Sequence, residues 1–252
     1  MDNALLVGLS RQVALQRELD VIANNLANIN TNGFKSEKIQ FQQFLSTSAR
    51  AETFQPGDRG ISFVQDRATL PDFSQGPMTQ TGSPLDVGIS GNGFLVVDTP
   101  AGERYTRNGS LQRNSTGELV TIDGYRVRGA QGPIQFDQND TDILIARDGT
   151  ISAQNGNQIA DRGKIRLVRF DNPQMLKREG LGLYSASGQT AQPTNETTTV
   201  VQGMLEKSNV SPVLEMGRMI EVTRAYTSLT NLMTRTDQLR QTAINKLSDV
   251  TS

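Results

Sequence analysis

Two apolar stripes at helical spacing, one near each end of the chain, constrain the fold more than any other feature of this sequence. Near the N-terminus, Leu15, Leu19, Ile22, Leu26 and Ile29 follow one another at steps of 4, 3, 4 and 3. That spacing keeps side chains on one face of a helix. Leu5, Leu9 and Val13 prolong the apolar surface. Near the C-terminus, Ala225, Leu229, Leu232, Thr236, Leu239 and Ala243 repeat the pattern, and Met219, Val222, Tyr226 and Met233 widen it. The first helix is expected to stop near Asn30-Thr31-Asn32-Gly33, where glycine supplies the left-handed residue that ends helices. The second is expected to start at Pro212, with Ser211 as its cap and Glu215 in its first turn. At 1.5 Å per residue it would be about 55 Å long.

The middle of the chain has a different grammar. Asn108-Gly109, Asp123-Gly124, Asp148-Gly149 and Asn155-Gly156 are two-residue hairpin signals. Short β-type runs lie between them: Phe94–Val97, Glu118–Ile122, Ile143–Ile145 and Lys164–Phe170. Short strands punctuated by such turns describe an all-β sandwich or irregular barrel. Residues 46–82 are poorer in apolar side chains and are broken at Pro56-Gly57, Pro71 and Gly76-Pro77, which reads as an extended arm. The expected fold class is therefore α+β: paired N- and C-terminal amphipathic helices, coiled-coil-like, with a central all-β domain and an extended connecting arm. The expected divisions are a helix over 1–33 paired with a helix over 212–252, a linking arm over 34–82, a β-rich domain over 83–203 and a return linker over 204–211. Each helix carries apolar residues on more than one stripe, so a two-helix hairpin would leave some of them wet. Surplus of that kind marks an assembly surface.

Composition narrows the chemistry. The 252 residues contain no histidine and no cysteine. The commonest general base, the thiol nucleophile and the usual soft-metal ligands are all missing. With 25 basic and 26 acidic residues the chain lacks the strong positive charge of a nucleic-acid binder. No stretch approaches the ~20 apolar residues of a membrane span. The opening Met1–Leu9 lacks the basic leading region of a secretory signal, so export without a cleaved signal peptide is expected. The acidic cluster Asp137, Asn139, Asp140, Asp142 departs from the calcium-loop template, with Asp142 where glycine is required and Asp148 where glutamate is required. It reads as a polar loop. Gly91-Asn92-Gly93 lacks the third glycine of a nucleotide loop and precedes a strand. No catalytic group, metal or cofactor is expected. A glycan hydrolase would need a carboxylate pair distinct from the charged surface, and a displayed β-sandwich adhesin would not need long helices at both ends.

One run is specific. Ala23-Asn24-Asn25-Leu26-Ala27-Asn28-Ile29-Asn30-Thr31-Asn32-Gly33-Phe34-Lys35 resembles the N-terminal signature of the flagellar rod and hook proteins. Leu205-Glu206-Lys207-Ser208-Asn209-Val210, followed by Glu215-Met216, Met219-Ile220 and Arg224-Ala225-Tyr226, looks like the companion C-terminal motif of that family. Ser83–Ile89, Gly91–Val97 and Tyr105-Thr106-Arg107-Asn108-Gly109 resemble the family's entry into its β-domain. Within the family, the opening residues and the length look most like a proximal rod subunit, with the distal rod branch as the alternative.

The resemblance implies a structural subunit that assembles helically, transmits torque and encloses an export channel. The terminal helices would form the inner tube and the β-domain an outer layer. The implied partners are copies of itself, proximal rod subunits below, the distal rod protein above and the flagellar type III export apparatus, with no nucleic acid and no membrane insertion. The residues expected at the assembly interface are Leu15, Leu19, Ile22, Asn24, Asn25, Leu26, Asn28, Ile29, Asn30 and Gly33 on the first helix and its end, and Met219, Val222, Tyr226, Leu229, Leu232 and Leu239 on the second. The asparagines could serve as a hydrogen-bonding belt between subunits, since each both donates and accepts, or bond locally within the chain.

Overall fold

The computed structural model describes residues 2–46, 61–180, 182–195 and 197–250. Helix α1 (Asp2–Ala27) opens the chain and helix α2 (Pro212–Val250) closes it. Between them run β1 (Glu37–Ser46), β2 (Ile61–Pro71), β3 (Met78–Gln80), β4 (Val87–Ser90), β5 (Phe94–Thr99) and β6 (Gly102–Thr106). β7 (Leu111–Arg113), β8 (Leu119–Thr121), β9 (Arg126–Val127), β10 (Asp140–Ile145), β11 (Thr150–Asn155) and β12 (Gln158–Lys164) follow. β13 (Leu167–Arg169), β14 (Lys177–Arg178), β15 (Leu183–Ser185), β16 (Gln192–Pro193), β17 (Thr199–Gln202) and β18 (Met204–Glu206) complete the set. The order of helix, strand-rich middle and helix is the α+β arrangement expected.

The chain forms two compact units. A helical unit takes the described residues of 1–26, 37–70 and 211–252, and a β unit takes those of 27–36 and 71–210. These divisions differ from the expected ones. Residues 27–35 of the signature run belong with the strands and 23–26 with the helices, β1 and β2 pair as a two-stranded sheet inside the span expected as an arm, and β18 occupies the expected return linker. The Pro56-Gly57 break lies outside the described residues.

In the helical unit the two helices meet antiparallel. Gly8 is buried close to Met233, so that a Cβ on Gly8 would sit 3.3 Å from the Met233 sulfur. Gln12 Nε2 donates to the Tyr226 hydroxyl at 3.0 Å. Glu18 lies in the fields of Arg218 and Glu221, and burial raises its carboxyl above the usual range, Arg218 lowering it and Glu221 raising it further. Positions on α1 thus rise as their partners on α2 fall. α2 begins at Pro212, where Glu215 N donates to Ser211 O at 3.0 Å to close the first turn. α1 stops at Ala27, short of the expected residue 30 or beyond, because Asn28 and Thr31 close a turn: Thr31 N donates to Asn28 O at 3.2 Å and Thr31 Oγ1 to Asn28 Oδ1 at 3.1 Å.

In the β unit the largest sheet has nine strands, ordered β14-β15-β6-β5-β9-β8-β7, with β13 pairing β5 and β16. β5 explains the apolar run Phe94-Leu95-Val96-Val97. Leu95 and Val97 enter one core with Val87, Ile89, Leu119, Ile134 and Ile151, while Phe94 and Val96 enter a second with Tyr105, Val168, Phe170 and Tyr184. A strand covered on both faces needs no polar alternation. The second core is aromatic, with Phe73–Phe94 and Tyr105–Phe170 edge-to-face at 5.2 and 4.8 Å between centroids. Asp123-Gly124, Asp148-Gly149 and Asn155-Gly156 turn between the paired strands β8–β9, β10–β11 and β11–β12. Asn108-Gly109 does not close a hairpin. β6 pairs β5 and β15, β7 pairs β8, and the Gly109 carbonyl instead accepts from Val87 N at 2.9 Å. Lys164–Phe170 is not one strand, since β12 ends at Lys164 and β13 begins at Leu167.

Candidate functional site

Three charged side chains from distant parts of the sequence meet inside the β unit. Lys35 follows the turn at Gly33, Arg107 follows β6, and Glu206 ends β18. Their side chains are 0%, 1% and 0% exposed. Glu206 occupies the centre. Its Oε1 accepts from Lys35 Nζ at 2.6 Å and from Gly76 N at 2.8 Å, and its Oε2 accepts from Arg107 Nη1 at 3.3 Å. Lys35 also donates to Ser74 O at 2.7 Å, and Arg107 to Ile89 O at 3.4 Å and Gly91 O at 2.6 Å. The Arg107 guanidinium stands 5.3 Å from the Phe94 ring centroid. Burial pushes both cations below their ordinary values, and Glu206 pulls them partly back. One carboxylate thus serves two cations without solvent, an arrangement that depends on the carboxylate staying in place.

The surrounding backbone is tied at the same place. Gly33 N donates to Glu206 O at 2.7 Å, Lys207 Nζ to Asn32 Oδ1 at 2.9 Å and Ser36 N to Asn209 Oδ1 at 2.7 Å. Asn209 Nδ2 donates in turn to Asp72 O at 2.8 Å. Gly33 has φ +69, and a Cβ there would come 2.5 Å from the Arg107 carbonyl carbon and Asn108 N. A side chain would meet backbone that cannot yield. The junction builds no catalytic constellation; it fastens the signature segment to the β unit.

The expected interface residues separate into groups. Ile22, Asn25 and Val222 are buried within the helical unit and Gly33 within the β unit. Leu15, Leu19, Leu26, Asn28, Ile29, Met219, Tyr226 and Leu229 are half-buried, and Asn24 and Asn30 are exposed. Leu232 and Leu239 are 64% and 66% exposed. The covered line of α2 is therefore Glu215, Met219, Val222, Tyr226, Leu229 and Met233, and the stripe through Leu232, Thr236, Leu239 and Ala243 lies on another face. Val213, Leu214, Met216, Ile220 and Ile244 are exposed as well, as are Leu9 and Val13 on α1.

Signature asparagines bond within the chain. Asn25 bonds the backbone of Glu37, Asn28 takes the Thr31 hydroxyl, and Asn32 takes Lys207. The acidic cluster at 137–142 is organised by Arg162, which contacts Asp140 Oδ1 and lies 2.7 Å from Asp137 Oδ2.

The three charges of the junction are absent from the interface expected from sequence. A signal for them exists: each of the segments resembling the rod and hook family carries one, Lys35 at the end of the asparagine-rich run, Arg107 in Tyr105–Gly109 and Glu206 in Leu205–Val210. Among the described residues, no helix is long and apolar enough to cross a membrane.

Comparison with known proteins covers the same segments. The family described as flagella basal body rod protein matches residues 5–35, the D1 domain of the flagellar hook proteins FlgE/F/G matches 88–153, and the C-terminal region of the basal body rod FlgEFG proteins matches 201–246. The chain is similar to the flagellar basal-body rod protein FlgF of Caulobacter vibrioides, 40% identical over 99% of this chain and 100% of that one. FlgF of Mesorhizobium japonicum is 37% identical over 98% of each. The basal-body rod protein FlgG of Bacillus subtilis is 33% identical over 97% of this chain and 99% of its own.

Proposed function

Since this chain belongs to the flagellar basal-body rod protein family, as a structural subunit of the rod and not an enzyme, we propose that it polymerises through the uncovered faces of its two terminal helices. The observation that carries this reading is the apolar surface left on α2 after α1 has taken its share, including Leu232 and Leu239. Apolar side chains at helical spacing with no cover in the monomer are stabilised when another helix covers them. The contacts of Gly8 with Met233 and of Gln12 with Tyr226 support an intramolecular, coiled-coil-like pair. The outer faces then remain for neighbouring subunits.

The 40% and 37% identity to two FlgF relatives, above that to the FlgG protein of Bacillus subtilis, supports a place in the proximal rod. The partners would be its own copies, other rod subunits and the flagellar export apparatus, and the location the periplasmic part of the basal body. The lack of cysteine suits such a path, since no thiol responds to the change of compartment.

The interface proposed is narrower than the one expected from sequence. Leu232 and Leu239 stay in it, with Asn24 and Asn30 at its edge, whereas Ile22, Asn25 and Val222 hold the subunit together.

Replacing Leu232 and Leu239 together by Glu tests this. The purified variant should keep the parent's helical circular dichroism and melting temperature but fail to enter rods in a strain lacking the native subunit. Normal rod incorporation of the double variant would reject the helix-face reading.

A further inference from the structure

The three-stranded sheet β10-β11-β12 is built differently at its two edges. At the β10 edge a bulge breaks the pairing with β11 between Thr141 and Leu144. The extra residue turns Leu144 to the outer face, 61% exposed, and Ile145 into the core. Asp142 takes φ +45 in the bulge, a conformation that a residue with a side chain keeps only where its surroundings hold it. A hollow of about 560 Å³ lies there, walled by Pro84, Leu85, Ile143 and Leu144, with Arg113 and Asp142 beside them. One amide ties the walls together. Gln202 Nε2 donates to Pro84 O at 2.8 Å and to Ile143 O at 2.7 Å, and its Oε1 accepts from Ile145 N at 3.2 Å. The hollow is therefore formed before anything enters it, which lowers the ordering cost of filling it.

The β12 edge carries a projection instead. Ile159, opposite Gln154 of β11, is 82% exposed. Asp161 lies two residues on, and so on the same face of the strand. The charges beside the two features are opposite. Asp161 Oδ1 accepts from Gly163 N at 2.8 Å, and Arg113 Nη1 donates to Asp137 O at 3.3 Å. Among the described residues neither meets an opposite charge. Within one chain β11 keeps the projection and the hollow apart. Between chains they can repeat head to tail, because each copy still offers the half that its neighbour has not used, and such a contact is open-ended. Rod subunits assemble with other rod subunits. We infer that Ile159 of one copy seats in the hollow of a second copy, with Asp161 against Arg113 of that second copy. The inference rests on membership of the rod family, not on which helix faces assemble.

The chain has no cysteine, so engineered thiols report only the contacts they make. Ile159→Cys and Leu144→Cys are introduced into separate preparations of the full-length chain, which are mixed and oxidised. A cross-linked pair is expected from the mixture and little from either variant alone. Asp161→Lys in the Ile159→Cys chain should lower the yield about fivefold, and Arg113→Asp in the Leu144→Cys chain should then restore it. A single chain carrying both cysteines should give a ladder beyond the dimer. Ile122→Cys, at a position 64% exposed in the same unit, replaces Ile159→Cys to set the background. The pair is expected with and without Leu232→Glu and Leu239→Glu, so this test and that of the helix faces fail separately. A yield no higher than background, no recovery on charge exchange, or a ladder that stops at the dimer overturns the inference.

Discussion

Asn25 and Glu37 exchange two hydrogen bonds, side chain to backbone. Asn25 Nδ2 donates to Glu37 O and Glu37 N donates to Asn25 Oδ1, both at 2.9 Å. A primary amide has the same donor and acceptor pair as a peptide group. Asn25, only 1% exposed near the end of α1, therefore acts as a one-residue strand partner for the start of β1. Asn25→Ala removes both of these bonds to the Glu37 backbone and should destabilise the chain by about 2 kcal/mol. Asn25→Asp keeps the acceptor but sets a carboxylate against the Glu37 carbonyl, and should be at least as harmful. Urea unfolding followed by circular dichroism measures both; stability equal to the parent in either variant would show the bonds to be dispensable.

Removing different members of the buried triad should have unequal effects. Glu206→Gln strands two desolvated cations and should cost about 3–5 kcal/mol. Lys35→Met leaves Arg107 and Glu206 as a balanced pair and should cost markedly less. The comparison is made by denaturant midpoint, and equal losses in the two variants would contradict the charge count.

At Gly33 the backbone, not a side-chain contact, sets the requirement. Gly33→Ala must hold φ +69 with its Cβ against the Arg107 carbonyl carbon. The loss should exceed the ~1 kcal/mol seen where alanine merely replaces a flexible glycine. A melting temperature within 1–2 °C of the parent, roughly half a kcal/mol for a chain of this size, would show that the turn can relax.

Acid should weaken the β unit in part through Asp148. The Lys164 ammonium and the Thr150 backbone hold its carboxyl at about 2. A depressed folded value means that its contribution is present above the ordinary carboxylate range and is lost as pH falls from about 4 towards 2. The side chain is 58% exposed, so the contribution is at most about 1 kcal/mol. Asp148→Asn should flatten the stability profile over that interval and leave the pH 5–7 region almost parallel to the parent, as seen in melting temperature against pH.

The helices were legible because their apolar spacing is local, and Ser211-Pro212 marks one boundary outright. The covered face of α2 was not, because its apolar residues occupy two faces and spacing alone cannot say which one α1 takes. The strands β1 and β2 were hidden by the breaks between them, although the alternation of Ile39 and Phe41 hinted at the first. The ion junction could not be read locally at all. Lys35, Arg107 and Glu206 look like ordinary surface charges in turn-rich sequence, and burial follows from pairings across most of the chain.

Lys35 and Glu206 are 171 positions apart, which makes the junction a question of timing as well as of charge. A chain delivered from its N-terminus would release Lys35 early, yet the carboxylate that neutralises it would arrive only after more than four-fifths of the polypeptide had emerged. Until then Lys35 lacks the carboxylate it bonds, and a buried ammonium would be costly to form. In such a chain the segment between α1 and β1 cannot bond Glu206 through most of delivery. The junction can then close only once β18 has emerged, before α2 has followed it.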